Sequence, residues 1–162
     1  MIHSNKMNTR TNRKLEGEFE QYILDIARVT RVVAGGKRLS FRATVALGSK
    51  NGHRIGVGIG KGKDVSWAIE KAVYDAKRKM IEVSVKNGTI PFEVKAKYKA
   101  AEVILKPSQK GKGIIAGGAV RNLLKLANIN DVTAKVLGKT SNAINNARAT
   151  MEAITQLNIK ED

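Results

Sequence analysis

Apolar and polar side chains alternate along two stretches in the first half of the chain, with the period of two that a β-strand imposes. Residues 39–47 carry an apolar side chain at every second position, and residues 54–60 repeat this pattern. Between them, Asn51-Gly52 is typical of a tight hairpin turn. The pattern therefore predicts two antiparallel strands, each with one buried face.

Residues 18–34 fit two patterns, so periodicity leaves their structure open. Phe19, Ile23 and Ile26 follow helical spacing, whereas the valines toward the end of the segment favour a strand. Gly35-Gly36 then predicts a turn.

Helical spacing of apolar side chains predicts three helices further along the chain. These helices cover residues 65–80, 120–127 and 144–154. Asp64 is a candidate N-cap for the first helix, and Ser141 or Asn142 for the last. Further strands are predicted at residues 92–98, 101–106 and 132–137.

Asn87-Gly88 and Pro91 mark a boundary between two halves that each combine strands with helices. We therefore predict an α+β protein with two small α/β domains. The predicted segments are a flexible basic arm at residues 1–17, a first domain at 18–86, a second domain at 90–158 and a tail at 159–162.

The net charge of the chain indicates what kind of partner the protein binds. Lys and Arg number 30 against 14 Asp and Glu, which gives a net charge of +16 and argues for a polyanionic partner. Aromatic residues make up only 4% of the chain, fewer than is usual where single strands are held by stacking. This composition favours folded RNA, which proteins recognise by its shape and phosphates.

The positive charge is concentrated between Arg28 and Lys63, where the chain contains no Asp or Glu. Cations without acids repel one another, so such a surface is most stable against a polyanion. The predicted RNA-binding cations are Arg28, Arg31, Lys37, Arg38, Arg42, Lys50, Arg54, Lys61 and Lys63.

Gly56, Gly58 and Gly60 share one face of a predicted strand, although glycine weakens strands. Either another element packs closely on this face, or an RNA backbone lies on it. Because Lys61 and Lys63 follow at once, we favour the second interpretation and predict that the three glycines bind RNA. On this interpretation, replacing Gly58 with Val weakens RNA binding and leaves the fold largely formed.

The sequence offers little for catalysis or cofactor binding. It contains no cysteine, and its two histidines lack metal-ligand spacing. Neither Gly-Lys pair fits a Walker loop, and residues 111–116 match only a lone, weak dinucleotide motif. We predict no enzyme activity, no catalytic residue, no cofactor and no metal. The chain also lacks an apolar run long enough for a membrane span, or an N-terminal secretory signal.

Several motifs resemble those of protein five of the bacterial small ribosomal subunit, and the likeness spans about residues 20–158. These motifs are residues 35–41 (GGKRLSF), 52–61 (GHRIGVGIGK), 68–72 (AIEKA), 113–121 (GIIAGGAVR) and 148–150 (RAT). The resemblance implies a first domain like a double-stranded-RNA-binding fold, with three antiparallel strands plus a helix. This makes residues 22–33 a strand. It also implies a second domain with a β-sheet, helices on one side and a left-handed βαβ crossover, which is rare.

The resemblance further implies a role in translation. The protein would bind 16S ribosomal RNA, stabilise the body of the small subunit and influence decoding accuracy near the side where messenger RNA enters. It would contact small-subunit proteins four and eight, without forming a homo-oligomer or binding a membrane. Residues 29–38 correspond to a loop near the spectinomycin site of family members, although Ala34 and Ser49 depart from the residues usual there. The expected location is the cytoplasm or an organelle, and the alternative is a free double-stranded-RNA-binding regulator.

Residues 107–118 form a predicted glycine loop around Ile114 and Ile115. Two adjacent isoleucines suit a protein surface better than a phosphate, although they can also begin the core of the following helix. The resemblance implies that this region lies near protein four. The predicted protein interface is Gly113, Ile114, Ile115 and Arg121.

Overall fold

A computed structural model describes residues 18–50 and 53–159 of the protein. The predicted basic arm, the hairpin turn at Asn51-Gly52 and the last three residues lie outside the described residues.

The first domain contains a four-stranded antiparallel sheet whose strands follow chain order. Its strands are β1 (Phe19–Val33), β2 (Gly36–Ser49), β3 (Arg54–Gly62) and the two-residue β4 (Ile81–Glu82). The three predicted strands are confirmed, and β4 is added at the edge. Helical spacing in residues 18–34 was misleading, because this segment pairs with β2 along its whole length.

The helix α1 (Val65–Arg78) ends two residues before its predicted end. Asp64 occupies the N-cap position, but its side chain makes no capping hydrogen bond. Instead, the Asp64 carbonyl accepts the N–H of Ala68 at 3.1 Å. The helix packs on the sheet through Ala68, Ala72 and Ala76, which are fully buried.

The second domain contains a four-stranded sheet and two helices. In chain order its elements are β5 (Val94–Tyr98), β6 (Ala101–Pro107), β7 (Ile114–Ile115), α2 (Gly118–Leu126), β8 (Val132–Val136) and α3 (Ala143–Ile159). The strands lie in the order β5-β6-β8-β7, and only β7 and β8 are parallel. They are joined through α2, so a βαβ unit is present, and its handedness stays a prediction. Asn142 caps α3 as predicted, since its Oδ1 accepts the N–H of Ile144 at 3.0 Å.

The two domains share one hydrophobic core. The helices α2 and α3 pack against the second sheet and also contact the first sheet. Ala46, Ile55 and Val57 of the first domain therefore belong to the same buried cluster as Leu123 and Ile154. The second domain therefore covers the face of the first sheet opposite α1.

The expectation of one buried face for β2 was consequently wrong. Residues 43–48 are buried on both faces, because α1 covers one face and the second domain covers the other. Thr44 and Ala46, which alternation places on the face opposite the apolar one, are fully buried. Hydrogen bonds also join the domains, including one of 2.8 Å between His53 Nδ1 and the Ala127 carbonyl.

Candidate nucleic-acid interface

The hairpin formed by β1 and β2 extends beyond the rest of the first sheet. The strand β2 pairs with β1 from Gly36 to Ser49, but with β3 only from Phe41 to Gly48. The distal part of the hairpin is therefore a two-stranded ribbon, with Val32 75% exposed and Leu39 53% exposed. Such ribbons are marginally stable alone in water, so this one is well suited to a partner.

The strand register gathers cations on one face of this hairpin. Arg31 lies directly opposite Arg38, and Arg42 directly opposite Lys61. Residues opposite each other in an antiparallel pair share a face, and so do alternate residues along a strand. Arg31, Arg38, Arg42 and Lys61 thus share the face opposite α1, and we call them the cation stripe.

The charges of the cation stripe are poorly compensated. Arg42 Nη2 donates to Asp25 Oδ2 at 3.1 Å, whereas Arg31, Arg38 and Lys61 form no ion pair within the described residues. These three side chains are also exposed. Like charges directly opposite in a sheet destabilise it. The geometry therefore favours binding of a polyanion that lies along the hairpin.

The other predicted cations do not join this surface. Arg28 and Lys37 lie on the opposite face of the hairpin by register. Lys50 and Arg54 lie at the far end of β2 and β3, so Lys50 is about 40 Å along the strand from Arg38. Lys63 lies in the connection to α1. The sequence located the positive segment, but the nine cations do not form one contiguous surface.

The glycines of β3 serve packing, and their assignment to RNA binding was wrong. Gly56, Gly58 and Gly60 are buried beneath α1. A Cβ added to Gly58 would lie 2.0 Å from the Ala72 carbonyl oxygen, and one added to Gly60 would lie 2.1 Å from the Ala68 oxygen. The helix backbone occupies the space that we had expected an RNA backbone to use.

The sequence carried a signal for this close packing. Ala68, Ala72 and Ala76 recur every four residues, which spans about 6 Å of helix. The glycines of β3 recur every two residues, which spans a similar distance along a strand. Each alanine can therefore meet one glycine when helix and strand run alongside each other. The two small-residue series together predict a close contact.

The glycine loop of the second domain has a different physical basis. Gly111 and Gly113 have φ of 88° and 74°, a left-handed backbone that other residues rarely adopt, and an added Cβ would meet open space. Asp131 anchors the loop, because its Oδ1 accepts the N–H of Gly113 at 2.7 Å. Ile114 packs against the core, as the alternative interpretation expected, whereas Ile115 is 48% exposed.

Arg121 is exposed in the first half of α2. It lies near Lys125: a hydrogen bond with Tyr22 raises the pKa of Lys125, and the positive charge of Arg121 opposes that shift. The loop and Arg121 thus offer an apolar side chain and a cation to solvent.

The described part of the chain offers neither a metal site nor a membrane-spanning helix. Across residues 18–50 and 53–159, no three His, Asp or Glu side chains lie close enough together to hold a metal ion. None of the helices that the structure describes is long and apolar enough to cross a membrane.

Comparison with known proteins identifies the family. Residues 19–84 match the family model described as ribosomal protein S5, N-terminal domain, and residues 96–162 match ribosomal protein S5, C-terminal domain. The chain belongs to the ribosomal protein S5 family. The resemblance in the sequence motifs is thereby confirmed, together with its two α/β domains.

Curated members of the S5 family are similar over most of their length. The chain is 44% identical to small ribosomal subunit protein uS5c of Rhodomonas salina, over 95% of this chain and 91% of that protein. It is 49% identical to small ribosomal subunit protein uS5 of Thermotoga neapolitana, over 86% and 78% respectively. It is 48% identical to uS5 of Campylobacter jejuni, over 86% and 94%.

Proposed function

We propose that the protein is a structural constituent of the small ribosomal subunit that binds 16S ribosomal RNA through the cation stripe. It has no catalytic role, and it helps to assemble and stabilise the body of the subunit. The observation that carries the proposal is the pairing of Arg31 with Arg38 on a projecting hairpin. Membership of the S5 family, and the small-subunit names of its relatives, support the same partner. The subunit concerned belongs to the cytoplasm or to an organelle.

The hairpin geometry suits a folded RNA. Its cations form two cross-strand pairs, Arg31 with Arg38 and Arg42 with Lys61, so they can contact several phosphates of one RNA backbone. The residues between these cations on the same face, Ala27, Val29 and Ser40, are not aromatic, which favours phosphate contacts over base stacking. Recognition would then depend on the shape of the RNA.

Binding to a folded 16S fragment is expected to weaken steeply with salt. Each neutralised phosphate contributes about −0.7 to −0.9 to the slope of log affinity against log salt concentration, so four stripe cations give a slope of about −3. The slope is measured by filter binding between low and physiological salt. A slope shallower than about −1 would contradict phosphate binding by the stripe.

A free double-stranded-RNA-binding regulator is the alternative function. Sedimentation of tagged protein from a lysate at high salt separates the two. Co-migration with small subunits supports the ribosomal role, and free protein supports the regulator.

We also propose that the glycine loop and Arg121 contact protein four of the subunit, that protein eight is a further neighbour, and that the contact influences decoding accuracy. Exposed Ile115 supplies apolar surface of the kind found in the cores of protein interfaces. Arg121 supplies a cation that can form a charge-assisted hydrogen bond.

Replacing Arg121 with Ala in assembled subunits is expected to alter decoding accuracy and weaken retention of protein four. Loss of a charge-assisted hydrogen bond costs about 1–3 kcal/mol, so retention should weaken by about 5- to 150-fold. Error frequency and retention of protein four on washed subunits are measured beside Lys135→Ala, a control that removes an exposed cation from β8. Weakened RNA binding with unchanged accuracy would instead make Arg121 part of an RNA surface.

A further inference from the structure

A groove of about 720 Å³ lies where α1, the edge of β3 and α3 meet. Its walls include Trp67, Lys71, Tyr74 and Arg78 from α1, Ile59 from β3 and Arg148 from α3. Both domains therefore contribute to it. The outer edge of β3 borders the groove, since β4 pairs only with Arg54 and Ile55.

Two large aromatic side chains stand exposed along this groove. Trp67 is 60% exposed and Tyr74 is 67% exposed. They are seven residues apart, or two helical turns, so they lie on one face of α1 about 10 Å apart along its axis. Lys71 lies between them and Arg78 follows one turn later. The helix thus presents ring, cation, ring and cation in succession.

The acids of the groove leave these two cations uncompensated. Asp75 Oδ2 accepts from Lys79 Nζ at 2.8 Å and from the Ile59 N–H at 3.2 Å. Burial raises the pKa of Asp75, but these two hydrogen bonds and the charges of Lys79 and Arg78 together outweigh burial. The net pKa is lowered, so the carboxylate stays ionised and paired with Lys79. Lys71 and Arg78 form no ion pair within the described residues. The groove is therefore positive beside its exposed rings.

We propose that this groove binds an unpaired stretch of RNA, with a base stacked on Trp67 or Tyr74 and phosphates held by Lys71 and Arg78. Rings alternating with cations suit a strand that exposes both bases and phosphates. Exposed Trp, Tyr and Arg also occur in protein interfaces, but the uncompensated charges of Lys71 and Arg78 match a polyanion better than a protein. The proposal rests on the ribosomal function above and adds a second type of contact, at the β3 edge of the first sheet.

Trp67 is the only tryptophan of the chain, so its fluorescence reports on this groove alone. Titrating the full chain with an oligouridylate of about ten nucleotides is expected to quench that fluorescence by roughly half or more, because a stacked base contacts the ring. Inorganic polyphosphate carries the same sign of charge without bases, and should leave the fluorescence unchanged. Equal quenching by polyphosphate, or no quenching by the oligouridylate, would overturn the proposal.

Variants of α1 test the residues. Tyr74→Ala should weaken oligouridylate binding on the order of tenfold, whereas Ser66→Ala, an exposed change on the same helix, should not. Glu70→Gln removes a negative charge from the groove wall and should strengthen binding. Unchanged affinity in both Tyr74→Ala and Glu70→Gln would overturn an RNA site. The same conclusion would follow if small-subunit proteins free of RNA quenched the fluorescence and the oligouridylate did not.

The double change Arg31→Ala, Arg38→Ala separates this proposal from the ribosomal one. It should abolish binding of the folded 16S fragment while the quenching by oligouridylate persists. Loss of quenching in that variant would place the oligouridylate on the cation stripe and overturn the groove site. Persistent quenching together with normal 16S binding would contradict the stripe and leave the groove supported.

Discussion

Replacing Gly58 with Val is expected to destabilise the first domain by about 4 kcal/mol or more. The first atom of any side chain at this position would lie 2.0 Å from the Ala72 carbonyl oxygen and 2.3 Å from the Ala76 nitrogen. Both atoms belong to the backbone of α1, so relief requires the helix to move away from the sheet. The helix would then lose the buried contacts of its three alanines. This expectation reverses the one drawn from strand preference, under which valine is accepted.

Gly35→Ala is the matched control for Gly58→Val. Its added Cβ meets nothing within 4 Å, and its backbone is not left-handed, so stability should change by no more than about 0.5 kcal/mol. Chemical unfolding followed by circular dichroism measures both variants. A Gly58→Val protein as stable as the parent would show that α1 does not pack on this face.

Alternation and turn residues were enough to predict most individual elements. β2 and β3 and the three helices follow from local periodicity, because period two and period 3.6 are properties of single segments. Periodicity alone could not assign residues 18–34, since their spacing suits either a helix or a strand, and it is the pairing with β2 that makes them a strand. Pairing is a long-range contact that the segment itself does not encode.

The burial of both faces of β2 was hidden for a similar reason. Thr44 and Ala46 look like the polar and small residues of a solvent-facing side, yet the second domain covers them. A hydrophobic pattern records how much surface is buried, not which part of the chain buries it. The shared core between domains therefore required the structure.

The candidate RNA surface was predicted in outline and mislocated in detail. Composition marked the acid-free segment, because charge balance is visible in a sequence. Which cations meet depends on register and on strand length, so Arg38 pairs with Arg31 while Lys50 lies at the other end of β2. The glycines of β3 were assigned to RNA binding because Lys61 and Lys63 follow them, although the alanine series of α1 indicated helix packing. The exposure of Trp67 and Tyr74 was not anticipated, although both fall off the apolar stripe of that helix.

The double change Arg31→Ala, Arg38→Ala is expected to affect the free protein and its RNA complex in opposite directions. In the free protein, the change removes two like charges that face each other across the hairpin. Stability should rise by about 0.2–1 kcal/mol, which is roughly 1–3 °C in melting temperature. In the complex, the change removes two charge-assisted contacts, so affinity for a folded 16S fragment should fall on the order of 100-fold.

The salt dependence of binding provides a separate test of the same pair. Losing two phosphate contacts should make the slope of log affinity against log salt shallower by about 1.5. The control Lys97→Ala, Lys135→Ala removes the same charge from exposed positions of the second sheet, and should leave this slope nearly unchanged. Equal losses of affinity in both double variants would mean that net charge, not the stripe, governs binding. A hairpin adapted to a polyanion predicts that only the arginine variant loses RNA affinity and that its melting temperature rises. The reason is that bound phosphates relieve the repulsion between Arg31 and Arg38.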